Sequence, residues 1–364
     1  MWIRSGPEPH VGMRCHFLDP GVEMISRYRK SASTFILLAA LLVVPTVEAL
    51  TLKIATIVPD GSSWLVEMRK AGKEIAKETD GRVKLKFYPG GVMGGDKTVL
   101  RKIRARQLQG GAFTSGALAE IFPDIELYSL PLIFRNYEEV DFVRAAMDEQ
   151  LKKGMAEQGL EVLSISDGGF AYVMSQVPIR RVEDLKGMKV WLVEDDKMTE
   201  VALDAAGVSP VPLPIADVYT ALQTGLVDTV AAPPMGAIAF QWHTKVGYLT
   251  DVPLMYLTGV LAVDKRAFDK ISPADRKVVR ETIKNVARGL DEEGRQGEMG
   301  ARQALQNQGI EFVTAESEEE VLRWHQMSEE AIKNLRGMNR YSDENMDQVL
   351  TLLEQYRSER SASQ

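Results

Sequence analysis

The sequence predicts an α/β protein of two discontinuous lobes. Strand-like and helix-like segments alternate over most of the chain, which is typical of α/β folds with mostly parallel sheets. A length of 364 residues fits two domains. A helical pattern free of proline follows Ser272-Pro273 and continues to about Asn307. At a rise of 1.5 Å per residue, that helix would be about 50 Å long, so we expect it to span both lobes.

The first α/β unit begins with an alternating, β-branched segment that ends at Pro59-Asp60-Gly61. In the second unit, Gly207 and Gly225 each follow a helical segment and are expected to end it. Predicted strands cover residues 52–57, 83–88, 111–114, 160–165, 170–175, 189–193, 211–213, 227–231 and 310–313, and predicted helices cover 63–79, 97–107, 199–206, 217–224 and 273–307.

The chain is expected to pass between the lobes several times. We therefore predict that residues 1–49 are an N-terminal extension and signal peptide, that lobe I comprises 50–169 plus 256–296, and that lobe II comprises 170–255 plus 297–360.

The N-terminal region has the order of a secretory signal peptide. A basic stretch, Arg27 to Lys30, precedes an apolar run over residues 33–44, and Val47-Glu48-Ala49 supplies small residues for cleavage. The run is shorter than the roughly 20 residues of a membrane span; the alternative is an uncleaved anchor. We expect cleavage near Ala49, export to the periplasm and a translation start at Met24 rather than Met1.

Composition and motifs argue against several classes of function. A net charge of −7 without clustered Lys and Arg does not favour nucleic-acid binding. The segment over residues 90–98 resembles a phosphate-binding loop, but Asp96 stands where glycine should precede Lys97. No nucleophile and no further metal ligands stand at a suitable sequence spacing from His243 and His325. We predict neither an enzyme nor a bound cofactor or metal.

Several aromatic residues fall near the ends of predicted strands, where ligands bind in α/β sheets. Core packing is the alternative for each of them, but as a set they favour a cleft. They are Trp64, Phe113, Phe170, Tyr172, Trp191 and Trp242.

A set of ordered motifs resembles the DctP-type solute-binding proteins of tripartite ATP-independent periplasmic (TRAP) transporters. The similarity extends from about Leu52 to Arg336. Its motifs are Gly110, Leu130-Pro131-Leu132-Ile133-Phe134, Ser175-x-x-Pro178, Asp184-Leu185-Lys186-Gly187-Met188-Lys189-Val190, Ser209-Pro210-Val211-Pro212-Leu213 and the segment from Asp217 to Asp228.

The resemblance implies two lobes that close on a ligand in the cleft between them. It also implies delivery of that ligand to the small and large membrane subunits of a TRAP permease. We expect a monomer. A periplasmic sensor or scaffold protein is the alternative class, and a periplasmic enzyme on the same fold is a rival without catalytic residues to support it.

The chain departs from the family pattern at the ligand-binding positions. In similar proteins an arginine clamps a substrate carboxylate; the matching position here is Trp191. Ala171 stands where similar proteins have a second arginine, and Ala232 stands where they have a polar amide. The ligand is therefore expected to be neutral or largely apolar. The expected ligand-binding residues are Trp64, Phe113, Thr114, Phe170, Tyr172, Trp191, Asp195, Ala232, Pro233 and Trp242.

Two alternatives keep an organic acid as the ligand. Arg180 or Arg181 could hold its carboxylate in place of the missing clamp. A metal ion bound by Asp195 or Asp196 could bridge to it instead. If the acidic residues after Trp191 face the cleft without a metal, they would oppose an anion.

Overall fold

The computed structural model describes residues 49–194 and 196–362. The predicted signal peptide and Asp195 lie outside this part of the chain. The strands are β1 (Leu50–Thr56), β2 (Val83–Tyr88), β3 (Gly110–Thr114), β4 (Leu160–Ser175), β5 (Trp191–Val193), β6 (Val211–Leu213), β7 (Thr229–Ala232), β8 (Tyr248–Asp264) and β9 (Glu311–Val313).

Helices account for most of the remaining described residues, and short 3-10 turns lie between them, including one at Pro123–Ser129. The α-helices are α1 (Ser63–Glu78), α2 (Asp96–Arg104), α3 (Ser115–Leu118), α4 (Tyr137–Glu157), α5 (Lys197–Ala205), α6 (Val218–Thr224), α7 (Pro234–Ala239), α8 (Lys265–Phe268), α9 (Pro273–Asn307), α10 (Glu318–Gly337) and α11 (Asp343–Ser361).

The large sheet is mixed, with strand order β2-β1-β3-β8-β4-β7 and β9 added to β8; β5 and β6 form a small parallel sheet. β1 pairs in parallel with β2 and β3, and β8 pairs in parallel with β9. The pairs β3–β8, β4–β8 and β4–β7 are antiparallel. The expectation of mostly parallel strands is therefore wrong for the centre of the sheet.

Two long strands, β4 and β8, form an antiparallel ribbon through the molecule. At one end β8 pairs with β3, where Thr114 lies opposite Gly259. At the other end β8 pairs with β9 and β4 pairs with β7. The ribbon thus joins two groups of strands, in agreement with the predicted two-lobed α/β architecture. The proposed lobe boundaries remain a prediction.

The sequence suggested two separate strands at residues 160–165 and 170–175, and they are one strand. The register of β4 against β8 shifts between Asp167 and Gly169. Gly169 has φ +88°, a conformation that glycine adopts at little steric cost. The glycines therefore accommodate a bulge within a continuous strand and do not form a turn.

Helix α9 is continuous over its 35 residues, as the sequence predicted. Ser272 caps it, because its Oγ accepts a hydrogen bond from the backbone N of Asp275 at 3.1 Å. Val279 and Ile283 belong to the apolar cluster under α1 and β1, whereas Leu305 belongs to the larger cluster that contains Trp191 and Trp242. The helix therefore packs against two separate cores.

Other local predictions are confirmed with small shifts. Gly225 ends α6 in the left-handed conformation, with φ +71°. Ser62 caps α1, which begins at Ser63 as predicted. Across the described residues, no helix has the length and apolarity that crossing a membrane requires.

Candidate functional site

A cavity of about 440 Å³ opens between the ends of β1 and β3, the β4–β8 ribbon, and the elements from β5 to α7. Its lining is mainly apolar, with hydroxyl and carboxyl groups at a few places. This volume and mixture are typical of pockets for small organic ligands. The position at the carboxyl ends of β1 and β3 agrees with the general location of ligand sites in α/β sheets.

Aromatic rings form one wall of the cavity. The Nε1 of Trp191 donates a hydrogen bond to the carbonyl of Leu213 at 2.9 Å, which fixes the indole. Its ring meets that of Trp242 edge to face, with centroids 5.0 Å apart. Phe240 stacks on Trp242 at 5.4 Å. This wall offers apolar ring faces whose orientation is set by their own contacts.

Seven of the ten residues expected to bind ligand line this cavity: Trp64, Phe113, Thr114, Trp191, Ala232, Pro233 and Trp242. Asp195 lies outside the described residues. Whether any of these residues binds ligand remains a prediction.

Phe170 and Tyr172, also expected at the site, are not among the lining residues. Successive side chains of a strand point to opposite faces, so Ala171 lines the cavity while its two aromatic neighbours point away. Phe170 packs against Tyr137 and Tyr256. Tyr172 lies beneath the guanidinium of Arg302, 5.0 Å from its ring centroid.

The three positions that match the family's polar ligand contacts all line the cavity, as Ala171, Trp191 and Ala232. None of the lining residues in the described chain is Arg, Lys or His. Arg180 and Arg181, considered above as substitute clamps, are exposed and pair with Glu311 at 3.6 Å and with Asp184 at 2.8 Å. Neither arginine lines the cavity.

Two carboxyl groups border the cavity beside α3. A Cβ on Gly116 would lie 3.5 Å from Oε2 of Glu126 and 3.7 Å from Cγ of Asp196. Glu126 is only 1% exposed, and its Oε1 accepts a hydrogen bond from the hydroxyl of Tyr341. Burial, followed by the charge of Asp196, raises the pKa of Glu126 to about 8. At neutral pH this carboxyl is therefore mainly protonated.

Asp196 has a structural role as well as a place in the lining. Its carboxylate caps α5, accepting hydrogen bonds from the backbone N of Thr199 at 2.9 Å and from its hydroxyl at 2.7 Å. Burial raises the pKa of Asp196, while these hydrogen bonds and the charge of Arg340 lower it. The sequence had placed Asp196 near the cleft, whereas Glu126 was not predicted as a site residue.

The remaining acidic residue of the lining is neutralised. Asp167 forms an ion pair with Nη1 of Arg144 at 2.6 Å and accepts hydrogen bonds from Arg295 and Tyr256. Arg295 also pairs with Asp141 at 2.7 Å. Arg144 and Arg295 thus pair with carboxylates of the protein and do not line the cavity.

The described residues contain no group of three or more His, Cys, Asp or Glu side chains that could hold a metal ion. His243 contacts the carbonyl of Ala237 through Nδ1 at 3.1 Å.

Comparison with known sequences gives one family. The model for bacterial extracellular solute-binding proteins of family 7, DctP, matches residues 54–337. An uncharacterized protein of Haemophilus influenzae is 26% identical over 275 residues, which cover 74% of this chain and 82% of the relative. The C4-dicarboxylate-binding periplasmic protein DctP of Rhodobacter capsulatus is 29% identical, with coverage of 56% and 61%.

Solved structures share the fold. The sugar-acid-binding protein of Advenella mimigardefordensis in complex with galactonate has a TM-score of 0.78 at 19% identity, covering 85% of this chain and 99% of its own. A TRAP periplasmic solute-binding protein of Xanthobacter autotrophicus with bound β-D-galacturonate has a TM-score of 0.76 at 21% identity, with coverage of 83% and 98%. Since the family model matches well over half of its length, the chain belongs to family 7 of the bacterial extracellular solute-binding proteins, the DctP family.

Proposed function

We propose that this protein is the periplasmic receptor of a TRAP transporter, which captures a small organic solute and presents it to the membrane subunits. The observation that carries this proposal is the cavity of about 440 Å³ between two groups of strands joined by the β4–β8 ribbon. Family membership and the similarity to TRAP solute-binding structures support it. The fold favours capture by closure around the solute, a common device of binding proteins.

Export accompanies this role. We propose that the segment before Leu50 is removed near Ala49 and that the mature protein works in the periplasm, as two relatives do that are named periplasmic binding proteins. N-terminal sequencing of the exported protein tests this. A mature chain that begins before residue 33 would contradict it.

Two kinds of evidence bear on the ligand class, the ligands of structural relatives and the lining of this cavity, and they disagree. The named structural relatives hold galactonate, galacturonate and D-glucuronate, which are acidic sugars. They do not support the expectation of a neutral or largely apolar ligand. Those relatives are 19–21% identical to this chain, however, so their similarity speaks for the fold rather than for the ligand.

The lining of this cavity favours an uncharged ligand. A buried carboxylate without a cation is unfavourable by several kcal/mol, and no described lining residue supplies a cation. Glu126 and Asp196 border the same space. We therefore retain an uncharged solute as the proposed class, with an acidic sugar as the competing class that the relatives suggest.

Ligand binding is expected to change tryptophan fluorescence, because Trp64, Trp191 and Trp242 line the cavity. Mass spectrometry of the small molecules released on denaturing the purified protein will give the ligand's composition. Titration of the refolded protein with that molecule should then shift or quench the emission. Trp191→Phe should reduce both the affinity and the fluorescence response. An unchanged affinity and response would show that Trp191 only packs against Trp242.

A further inference from the structure

The hydroxyl of Ser166 on β4 is buried without a hydrogen-bond partner among the described residues. Ser166 is 9% exposed and lines the cavity. A buried hydroxyl without a partner is unfavourable by about 1–3 kcal/mol, and buried polar groups in proteins are normally paired. Because Ser166 lines the cavity, rotation about its Cα–Cβ bond would direct this hydroxyl at a molecule that enters the cavity.

The strand register places Ser166 in a row of three cross-strand neighbours with open space above it, which we call the open row. Thr114 on β3 lies opposite Gly259 on β8, and Gly259 lies opposite Ser166 on β4. Directly opposed residues of antiparallel strands share a face of the sheet. A Cβ on Gly259 would have a single neighbour within 4 Å, the carbonyl oxygen of Phe113 at 3.9 Å. The space above Gly259 is thus free for a ligand to approach the backbone.

Within this row, Ser166 has the hydroxyl that remains available. The hydroxyl of Thr114 is bonded to Oδ2 of Asp96 at 3.2 Å. Thr258 also lines the cavity and has a hydroxyl without a partner in the described chain, but it lies opposite Asp167 in the register, one position along β8 from this row.

The open row leads to the acidic end of the cavity. Gly116 follows Thr114 by two residues and lies beside Glu126 and Asp196. A carboxyl group there accepts hydrogen bonds from a ligand's hydroxyl groups, and in its protonated form it also donates one. The rings of Trp191 and Trp242 line the same cavity and offer faces for the C–H surface or π-system of a ring.

We propose that Ser166 is a ligand-binding residue and that the ligand is an uncharged ring compound bearing hydroxyl groups, one bonded to Ser166 over Gly259 and another directed at Glu126. This inference rests on the proposed solute-binding function and narrows its ligand class. A hydroxyl group satisfies both ends, because it donates to a carboxylate and both donates to and accepts from a serine.

The first experiment compares two serine variants of the same strand. Ser166→Ala removes a hydroxyl that has no partner in the described chain, so the midpoint of urea unfolding should not fall. The affinity for the neutral probe that binds most tightly, such as D-galactose or 4-hydroxybenzyl alcohol, should fall about tenfold, as expected for one lost hydrogen bond. The matched control is Ser175→Ala, since Ser175 is also buried on β4, does not line the cavity and donates to the carbonyl of Val177 at 2.6 Å.

Ser175→Ala should show the opposite pattern, with a lower unfolding midpoint and an unchanged affinity. If Ser166→Ala binds as tightly as the native protein, Ser166 is not a ligand-binding residue. Gly259→Val provides a second variant, because its methyl groups would occupy the open space above β8 and should abolish binding. Unaltered binding by Gly259→Val would also overturn the proposal.

The ligand class is tested by calorimetric titration with matched pairs of probes in which a neutral hydroxymethyl group is replaced by a carboxylate. The panel pairs neutral hexoses, cyclic polyols and hydroxylated benzyl alcohols with their carboxylate counterparts, such as D-galactose with D-galacturonate and 4-hydroxybenzyl alcohol with 4-hydroxybenzoate. A neutral member should bind more tightly than its acid. Binding by acids alone would overturn the inference and leave the solute-binding function intact. Binding by no member of either class would count against both.

Discussion

The substitution Asp167→Asn is expected to lower the free energy of unfolding by about 3–5 kcal/mol, because it removes the buried carboxylate that two partly buried arginines share. Asp167 lies on β4 and has a side chain that is 5% exposed. It receives hydrogen bonds from Arg144 of α4, from Arg295 of α9 and from Tyr256 of β8. One carboxylate therefore links both strands of the ribbon to two helices.

Urea unfolding followed by far-UV circular dichroism measures this effect as a shift in the midpoint. The matched control is Asp141→Asn, since Asp141 also pairs with Arg295 at 2.7 Å but has a side chain that is 57% exposed. An exposed ion pair contributes about 0–1 kcal/mol. Equal shifts for the two variants would show that burial does not decide the contribution of Asp167.

The sequence predicted most elements outside the central ribbon. Residues 83–88, 211–213 and 273–307 are predicted and observed with the same bounds. Strand β8, which pairs with three other strands, was not predicted. Its segment contains Pro253 and Gly259, which weaken the strand pattern, and its burial changes along its length because it passes from one group of elements to the other.

The sequence indicated candidate site residues where aromatic side chains fall near the ends of predicted strands. Trp191, Trp242 and Ala232, which we expected to bind ligand, line the cavity. Phe170 and Tyr172 do not line it, and the predicted strand gave no basis for deciding which face of the ribbon lines the cavity.

Glu126 was missed for a different reason. It belongs to a 3-10 turn, Pro123–Ser129, that has no helical or strand periodicity. The available signal was the presence of Asp124 and Glu126 within an otherwise apolar stretch around Ile125 and Leu127. Charged residues are rarely buried without a partner, so such a stretch deserves separate consideration as a site.

The second large effect expected is on the pH dependence of stability, through Glu126. The pKa of a Glu carboxyl is ordinarily 4.5, and burial beside Asp196 raises it in the folded protein to about 8. Between pH 4.5 and 8 the folded protein binds more protons at this site than the unfolded chain does. The free energy of unfolding must therefore fall as the pH rises through this interval. A contribution on the order of 5 kcal/mol is expected, since the two pKa values differ by about 3.5 units and one unit corresponds to about 1.4 kcal/mol.

The substitution Glu126→Gln removes the titrating group and keeps an oxygen to accept the hydrogen bond of Tyr341. The variant should resemble the native protein in stability at pH 5 and exceed it at pH 9. Thermal unfolding at steps between these pH values measures the difference, with Glu138→Gln as the control because Glu138 is exposed. Parallel curves for the native protein and Glu126→Gln would mean that Glu126 is already ionised in the folded state. A carboxyl that stays protonated at neutral pH borders the cavity as an uncharged group that can both donate and accept a hydrogen bond.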